Sequence, residues 1–377
     1  MSLKKFLGEQ RVAYENIDID EQPEALGQLE ELQNGGRTIP TVLFSDGTHM
    51  VNPGPQEFAV KLGLNVEAKC IYYDAIVVGG GPAGLTAALY LAREDISTLL
   101  IDRAALGGQA GTTENLDNVP GFPEGIDGGE FADRLARQAR RFGAEALVAQ
   151  DVTSVSLDTS GYNLVRTSMG GEYYSKALLL TVGSTYRRLD VPGEERFIGA
   201  GIHFCATCDG PSYRGKQIVV VGGGNSGVQE GIYLTKFADK VTILERGEHL
   251  QASPVLIERA SSDPKILILT STSVAEFNGR HRLNSVMLKD ERTNRTWDLD
   301  TTGAFLFVGL TPNTGFLKDF VDLDDMGYIK TSRTLETNVP GVFAAGDSRR
   351  GSTKQVASAA GEGATAALMI REYLSGR

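Results

Sequence analysis

One pattern of hydrophobic and polar positions occurs twice along the chain. An unbroken apolar run at 74–78 or 217–221 is followed by a glycine-rich loop and then by a helix-like stretch of small and apolar residues. A second apolar run follows each helix, at 98–101 and 241–244. Continuous apolar strands that alternate with helices are typical of parallel sheets covered on both faces. The pattern therefore predicts an α/β protein with two Rossmann-like nucleotide-binding domains.

Residues 1–67 carry a shorter and less regular pattern, which predicts a small α/β unit in front of the two larger domains. Its predicted elements are helices at 2–9, 23–33 and 56–62, an alternating strand at 12–19, and short strands at 41–44 and 49–51 around an Asp46-Gly47 turn.

The remaining elements complete the two larger domains. They are predicted as helices at 85–94, 130–143, 228–237 and 357–368, strands at 152–157, 162–167 and 177–182, and a β-rich stretch at 266–300. A further apolar run ends at Asp347, and the ends of strands are where open α/β sheets bind ligands.

Composition limits the partners. The 377 residues carry a net charge of −11, which argues against nucleic acid and anionic membranes. No apolar run approaches the roughly 20 residues of a membrane-spanning helix, and no signal peptide is visible. Three cysteines are too few for a secreted disulfide framework, so we expect a cytoplasmic protein.

The first glycine loop has the spacing of a dinucleotide-binding fingerprint. Gly79 permits the tight turn, Gly81 lets the backbone approach a pyrophosphate, and Gly84 allows the helix to pack closely. Asp102 follows Gly79 by 23 positions, at the end of the next strand, where an acid accepts ribose hydroxyls.

The second loop repeats that spacing. Gly222, Gly224 and Gly227 stand where the first loop has its glycines, and Glu245 again follows by 23 positions. Two copies of one nucleotide-binding unit predict two bound nucleotides.

Between the two fingerprints lies the motif Cys205-Ala206-Thr207-Cys208-Asp209. Two cysteines at this spacing form a small-ring disulfide or half of a zinc site. The histidines at 49, 203, 249 and 281 and the remaining Cys70 form no cluster with metal-ligand spacing. A disulfide beside two nucleotides is therefore interpreted as an electron relay, and no metal is expected.

Residues 70–377 resemble the low-molecular-weight thioredoxin reductase family at each of its motifs. Those motifs stand here as GGGPAG, GGQ, PGFPEG, CATCDG, GGGNSG, GVFAAGD and KQ. The resemblance implies a homodimer with an FAD-binding domain at 68–187 and 311–377, interrupted at 188–310 by an NAD(P)-binding domain that carries the cysteine pair. The implied FAD-binding residues are Gly79, Gly81, Gly84, Asp102, Gln109, Asn118, Gly346, Asp347 and Gln355. The implied NADH- or NADPH-binding residues are Gly222, Gly224, Ser226, Gly227, Glu245 and Arg246.

The resemblance also implies roles for the motif. Cys208 would face the flavin, Cys205 would attack the disulfide of a small thioredoxin-fold protein, and Asp209 would protonate the departing thiolate. A helix cap is the alternative role for Asp209. His203 is expected to pack rather than to react, Cys70 is interpreted as a bystander, and rotation between the domains is expected to gate turnover.

The N-terminal 67 residues resemble a glutaredoxin domain without its first strand and its Cys-x-x-Cys motif. Thr38-Ile39-Pro40 matches the cis-proline loop of that family, but no cysteine precedes Cys70. We expect a docking or dimer-supporting role, so that deletion leaves flavin reduction nearly intact. A plain β-rich appendage is the alternative.

The choice of nicotinamide nucleotide is predicted from the end of the strand at 241–244. NADPH-using members of the family place His-Arg-Arg here, with a further arginine beyond, whereas this chain has Glu245 and a single Arg246. A carboxylate repels a 2′-phosphate and accepts from a free ribose hydroxyl, so NADH is expected to be preferred. Local pairing of Glu245 is the alternative.

Two other functions fit the same motifs. One is the flavoprotein reductase component of a peroxidase system, although that relative keeps a dithiol in its N-terminal part. The other is a flavin redox sensor or scaffold without turnover. The intact set of two cysteines and an acid favours the disulfide reductase.

Overall fold

The computed structural model describes residues 3–17, 19, 22, 24–113, 116, 118–204 and 206–376. They form two compact units, one from Met1–Thr112, Gly129–Gly183 and Thr314–Arg377 and the other from Thr113–Gly128 and Ser184–Asn313.

The α-helices are α1 (Leu3–Glu9), α2 (Ala25–Leu32), α3 (Pro55–Lys61), α4 (Pro82–Arg93), α5 (Gly128–Arg141), α6 (Glu194–Phe197), α7 (Ala206–Asp209), α8 (Asn225–Leu234), α9 (Pro254–Ser262) and α10 (Val356–Leu374). The strands are β1 (Thr41–Leu43), β2 (His49–Val51), β3 (Tyr72–Val78), β4 (Thr98–Ile101), β5 (Glu145–Leu147), β6 (Val152–Leu157), β7 (Asn163–Thr167), β8 (Glu172–Leu180), β9 (Ser184–Tyr186), β10 (Ile202–His203), β11 (Gln217–Val221), β12 (Lys240–Leu244), β13 (Ile266–Leu269), β14 (Thr272–Gly279), β15 (Leu283–Asp290), β16 (Thr296–Asp300), β17 (Gly303–Leu306), β18 (Leu310–Pro312) and β19 (Val342–Ala344).

The first unit is built on a sheet with the order β5-β4-β3-β8-β7-β6, in which β19 also pairs with β8. The strands β3, β4, β5, β8 and β19 run parallel to their neighbours in this set, whereas β7 and β6 are antiparallel. Val78, Ile101, Leu180 and Ala344 stand in one row of the register. The loops that follow these four residues therefore leave the sheet at one edge.

Two helices cover one face of that sheet and touch backbone to backbone. A Cβ atom at Gly363 of α10 would lie 2.1 Å from the carbonyl oxygen of Ala83 in α4. The small-residue composition of both helices is what permits this distance, because any larger side chain would separate them.

The second unit has a parallel sheet of its own. Its order is β10-β17-β11-β12-β13, and every pair is parallel. The predicted β-rich stretch at 266–300 contains β13 and the antiparallel sheet β14-β15-β16. Phe197, Phe277 and Val286 fill the core beneath these sheets.

The α/β fold class is as predicted, and several strands keep their predicted bounds. The two phosphate-loop helices begin earlier than predicted, at Pro82 rather than 85 and at Asn225 rather than 228. The amide of Leu85 already donates to the carbonyl of Gly81 at 2.9 Å, and that of Val228 to Gly224 at 3.0 Å. The last residues of each glycine loop thus form the first helical turn.

The N-terminal segment contains α1, α2, α3 and the hairpin β1-β2, with a cis peptide bond between Ile39 and Pro40. Phe6 and Phe58 stand 5.5 Å apart at the centre of its core. The core continues into the sheet unit through Ala149.

The predicted strand at 12–19 is wrong for the part that the structure describes. Residues 12–17 have no ladder partner, and residues 13–17 are exposed. Tyr14 and Ile17 are each about half exposed, at 48% and 47%. An alternating pattern makes a strand only where a neighbouring strand completes its hydrogen bonds, and β1 pairs only with β2 among the described residues.

Residues 9–11 hold the segment that follows β4. The amide of Ala105 donates to the carbonyl of Glu9 at 2.9 Å, and Gln10 Nε2 donates to the carbonyl of Arg103 at 3.1 Å. Arg11 Nη2 donates to the carbonyl of Leu106 at 2.7 Å and pairs with Asp133 at 3.1 Å. These contacts join the N-terminal segment to the chain that follows β4.

Among the residues that the structure describes, no helix combines the length and the apolar character needed to cross a bilayer.

Replacing Arg11 with alanine is expected to loosen the segment after β4, because the carbonyl of Leu106 loses its donor. We expect a cost of about 1–2 kcal/mol, a fall in Tm of roughly 2–4 °C, and faster hydrogen exchange of the Ala105 amide. Hydrogen exchange with mass spectrometry and calorimetry measure both quantities.

The matched control is Arg37→Ala, which removes an exposed pair with Glu30 inside the N-terminal segment. Surface pairs of this kind contribute little, so Tm is expected to stay within about 1 °C. Equal exchange rates at 103–106 in both variants would contradict the assigned role of Arg11.

Candidate functional site

The first phosphate loop is set by two close backbone approaches. Gly79 has φ +106°, and a Cβ there would lie 2.2 Å from the carbonyl oxygen of Thr181. A Cβ at Gly84 would lie 1.9 Å from the carbonyl oxygen of Gly79. Thr181 Oγ1 also donates to that carbonyl, at 2.7 Å. Only glycine fits at 79 and 84, and the start of α4 is thereby held against the end of β3.

Gly81 differs from its two neighbours in the fingerprint. The nearest protein atom to a Cβ at Gly81 is Gly108 Cα, at 3.9 Å. No packing constraint therefore explains glycine at 81, whereas a ligand that approaches the backbone would. The site combines this open space with the N-terminus of a twelve-residue helix, and both features fit a pyrophosphate.

Asp102 lies at the end of β4, as predicted, and bridges the loop. Its Oδ2 accepts from the amide of Gly80 at 2.5 Å, and its Oδ1 accepts from the amide of Ala104 at 2.8 Å. Desolvation raises the pKa of this carboxyl, while the two amide donors oppose the rise. Each oxygen keeps a further lone pair for a ribose hydroxyl.

Gly346 and Asp347 follow β19 at the same edge as Gly79 and Asp102. Desolvation raises the pKa of Asp347, and the charge of Lys354 opposes this. The ammonium of Lys354 donates to the main-chain carbonyl of Asp347 and lies 4.2 Å from the ring centroid of Tyr328. The ammonium group of Lys354 is thus held at the strand end where the first nucleotide is expected.

The remaining predicted FAD-binding residues lie in three places. Gln109 belongs to a short 3₁₀ turn at Gly108–Thr112, and Gln355 is the residue before α10. Asn118 belongs to the segment Thr113–Gly128, which packs with the second unit.

Sequence analysis overlooked several residues that hold this edge. Glu362 Oε2 accepts from the amide of Gly346 at 2.7 Å, and Glu362 Oε1 lies 2.6 Å from Arg349. Thr181 was missed as well. A signal existed for Glu362, because it is the only charged residue in 356–370. An isolated charge in a buried small-residue helix requires a partner.

The second phosphate loop repeats the geometry of the first. A Cβ at Gly222 would lie 2.4 Å from the carbonyl oxygen of Phe307, and one at Gly227 would lie 1.9 Å from that of Gly222. A Cβ at Gly224 would have no atom of another described residue, apart from its chain neighbours, within 4 Å. Ser226 is exposed in the first turn of the ten-residue helix α8. This loop also fits a nucleotide phosphate.

Glu245 occupies the position of Asp102 and makes the same contacts. Its Oε2 accepts from the amide of Gly223 at 2.8 Å, and its Oε1 from the amide of Gly247 at 2.6 Å. The local pairing considered as an alternative is therefore present, and it fixes the carboxylate at the strand end.

Arg246, the neighbour of Glu245, has an acidic group nearby. The pKa of Glu291 is lowered, first by a 2.6 Å hydrogen bond from Ser273 and then by the charges of Lys289 and Arg246. Arg246 itself is exposed.

The strand that leads into the cysteine motif, β10, ends at the edge that carries the second phosphate loop. His203 ends β10 and stands in one row with Phe305 and Val220. Cys205 lies outside the described residues, and of Cys208 the structure describes only its backbone place in α7. The parallel sheet nevertheless brings the residues flanking the motif and the Gly222 loop to the same carboxyl edge.

Asp209 does not cap the 3₁₀ turn Gly210–Tyr213 that follows it, because its side chain makes no hydrogen bond to that turn among the described residues. Instead, its Oδ1 lies 3.1 Å from His203 Nδ1. His203 packs against Phe305, as expected, but it also has this polar contact, which sequence analysis missed.

Cys70 is an exposed free thiol. Within the described part of the chain, no group of three or more His, Cys, Asp or Glu side chains has the geometry of a metal site.

The chain is similar to known enzymes over most of its length. Residues 73–363 match the family described as pyridine nucleotide-disulphide oxidoreductase. The thioredoxin reductase of Bacillus subtilis is 39% identical over 303 residues, which cover 80% of this chain and 95% of that protein. That of Streptomyces clavuligerus is 42% identical over 304 residues, covering 80% and 94%. The thioredoxin reductase structure from Streptococcus pyogenes matches with a TM-score of 0.74 and 36% identity, covering 81% of this chain and 99% of that one.

These similarities confirm the fold class and the thioredoxin reductase resemblance that the motifs indicated. The family match begins at residue 73, so the glutaredoxin resemblance of the N-terminal segment stays a prediction.

Alanine at Gly81 is expected to leave the fold intact and to weaken FAD binding by about tenfold or more, because the new methyl group points into the phosphate space rather than into protein. Gly224→Ala is expected to raise KM for the nicotinamide nucleotide without changing flavin content. Fluorescence titration of the apoprotein and steady-state kinetics measure the two effects.

Gly84→Ala is the contrasting variant, since its methyl group would meet the Gly79 carbonyl, and it is expected to lose stability by about 1–3 kcal/mol or more. A Gly81→Ala protein that holds FAD as tightly as the parent would show that the open space is not the phosphate site.

Proposed function

Because the chain belongs to the pyridine nucleotide-disulphide oxidoreductase family, we propose that it reduces the disulfide of a small thioredoxin-fold protein, such as thioredoxin or a glutaredoxin, with electrons from a nicotinamide nucleotide. The observation that carries this proposal is that β10, which leads into the CATCDG motif, ends at the same sheet edge as the strand before the Gly222 loop. Electrons from a nucleotide at that loop have a dithiol motif nearby on the same domain.

The cofactors of this family are FAD and a nicotinamide nucleotide. FAD, when bound, supplies a two-electron carrier between the nicotinamide and the disulfide. The proposed FAD-binding residues are Gly79, Gly81, Gly84, Asp102, Gln109, Asn118, Gly346, Asp347 and Gln355. The proposed nicotinamide nucleotide-binding residues are Gly222, Gly224, Ser226, Gly227, Glu245 and Arg246.

The chemistry on the protein side is thiol–disulfide exchange. The Cys205 thiolate attacks the substrate disulfide, so that a mixed disulfide forms and one substrate thiolate leaves. Cys208 then attacks the Cys205 sulfur, which restores the internal disulfide and releases the second substrate thiolate. Asp209 supplies the proton that a departing thiolate takes up.

We further propose the arrangement that the resemblance implies. The functional unit is a homodimer in the cytoplasm, with the FAD-binding domain at 68–187 and 311–377 and the NAD(P)-binding domain at 188–310. Rotation between these domains alternates access to the cysteine pair.

The cysteine pair is tested by anaerobic titration with NADH. The parent chain is expected to take up four electrons per subunit, two beyond those of the cofactor, because the disulfide accepts two. Cys208→Ala is expected to take up two and to lose disulfide reductase activity while it retains FAD.

Cys70→Ala is the matched control, because Cys70 is an exposed free cysteine outside the motif. The Cys70→Ala protein is expected to take up four electrons and to keep its disulfide reductase activity. Full disulfide reductase activity in the Cys208→Ala protein would rule out the relay.

NADH is proposed as the preferred nucleotide. One feature supports this: the Glu245 carboxylate is tied to the amides of Gly223 and Gly247. A fixed carboxylate cannot turn away from a 2′-phosphate, and a single arginine is a weak counter-charge for a dianion.

The ratio of kcat/KM for NADH to that for NADPH is expected to be about ten to a hundred in the parent chain. Glu245→Gln removes the charge but keeps the shape, so the ratio is expected to fall by about tenfold. The control Glu248→Gln makes the same change of charge at an exposed neighbouring position and is expected to leave the ratio unchanged. A parent enzyme that prefers NADPH would refute this interpretation of Glu245.

A further inference from the structure

The acid that follows the cysteine pair lies beside a largely buried imidazole. Asp209 Oδ1 lies 3.1 Å from His203 Nδ1, within ion-pair distance, with side-chain exposures of 17% and 11%. The second imidazole nitrogen, Nε2, is hydrogen-bonded to the hydroxyl of Tyr213 at 2.7 Å. Both nitrogens of His203 thus have polar partners.

The donor inventory limits the roles of the two nitrogens. The carboxylate that remains after Asp209 has given up its proton only accepts, so in that state a favourable contact requires the hydrogen on Nδ1. In a neutral imidazole the other nitrogen, Nε2, then has the free lone pair and accepts from the Tyr213 hydroxyl. The Tyr213 hydroxyl can both donate and accept, so it is compatible with this tautomer and holds the ring at its second nitrogen.

The imidazole is fixed in place by packing as well as by hydrogen bonds. The His203 ring lies 5.3 Å from the rings of both Tyr213 and Phe305. Gly303 leaves the room that Tyr213 occupies, because a Cβ there would lie 2.3 Å from the phenol ring. Lys216 lies 5.1 Å from the Tyr213 ring centroid. A donor held this firmly positions its acceptor at little entropic cost.

We propose that His203 is a positioning residue for Asp209, with Tyr213 holding its second nitrogen, and this rests on the proposed role of Asp209 in thiol–disulfide exchange. When Asp209 gives its proton to a departing thiolate, an S–H bond forms, an O–H bond breaks and the carboxylate becomes ionised. The Nδ1–H group of His203 stabilises that carboxylate until it takes a proton from water. His203 exchanges no atom with the substrate and acts through Asp209 alone.

The test compares two rates in each variant: reduction of a protein disulfide, which needs the cysteine pair, and reduction of ferricyanide, which does not. His203→Phe keeps a ring but has no donor, so the ratio of the two rates is expected to fall by about tenfold. His203→Asn carries an N–H group where Nδ1 stands, so its ratio is expected to lie within about threefold of the parent. His281→Phe makes the same substitution at an exposed position and is the matched control.

A double-mutant cycle separates positioning from packing. In an Asp209→Asn background, His203→Phe is expected to lower the ratio little further, because its effect passes through Asp209. If His203→Phe lowered the ratio in the Asp209→Asn background by the same factor as in the parent, the proposal would be overturned. Equal losses of the ratio in His203→Phe and His203→Asn would overturn it as well. A parent-like ratio in Asp209→Asn would also overturn it, and the Cys208→Ala titration would still test the disulfide reductase itself.

Folding is checked by Tm for each variant. Should His203→Phe fail to fold, Tyr213→Phe replaces it in the test. This change keeps the ring of residue 213 and removes only the hydroxyl group that is hydrogen-bonded to His203 Nε2. Its ratio is expected to fall by about threefold, because Nε2 loses its hydrogen-bond partner and the imidazole beside Asp209 is held less firmly. A parent-like ratio in Tyr213→Phe would overturn the positioning role of His203.

Discussion

The close approach of a helix to the strand before it is the constraint on which both halves of this molecule depend. A methyl group at Gly84 or Gly227 would stand 1.9 Å from the carbonyl oxygen at the turn, Gly79 or Gly222. The helix can therefore begin directly above the end of the strand, and its free N–H groups face the space outside the sheet. Because the neighbouring strands are parallel, the acids that follow them leave the sheet at that same edge. These acids are Asp102 and Asp347 in the first unit and Glu245 in the second.

The acid at the end of the second strand has a structural part in each loop. Asp102 and Glu245 each bridge two backbone amides, one in the glycine loop and one just beyond the strand. The carboxylate thus shapes the loop before any nucleotide binds. A group fixed in this way discriminates between ligands by charge, because it cannot move aside to relieve repulsion.

The N-terminal segment is joined to the first sheet unit more closely than its pattern suggested. Glu9, Gln10 and Arg11 bond to backbone groups of residues 105, 103 and 106, and the amide of Gly107 then donates to the carbonyl of Gly80 in the first glycine loop. The short stretch 103–107 therefore connects a segment without a thiol to that loop. This link gives the segment a physical role that needs no redox chemistry of its own.

The sequence by itself determined what depends on local spacing: both phosphate loops, the acids that follow them, the buried strands such as Thr98–Ile101 and Gln217–Val221, and the CATCDG motif. These features need only a few neighbouring residues, so their pattern identifies them.

The tertiary structure decided whatever needed a distant partner. Residues 12–17 did not become a strand because no neighbouring strand receives them. His203 met Asp209 because β10 pairs with β17 and the chain after β10 turns back toward its end, a geometry that the five residues between them in the sequence do not specify. Glu362 likewise found Gly346 and Arg349 through the packing of α10, which no local pattern encodes.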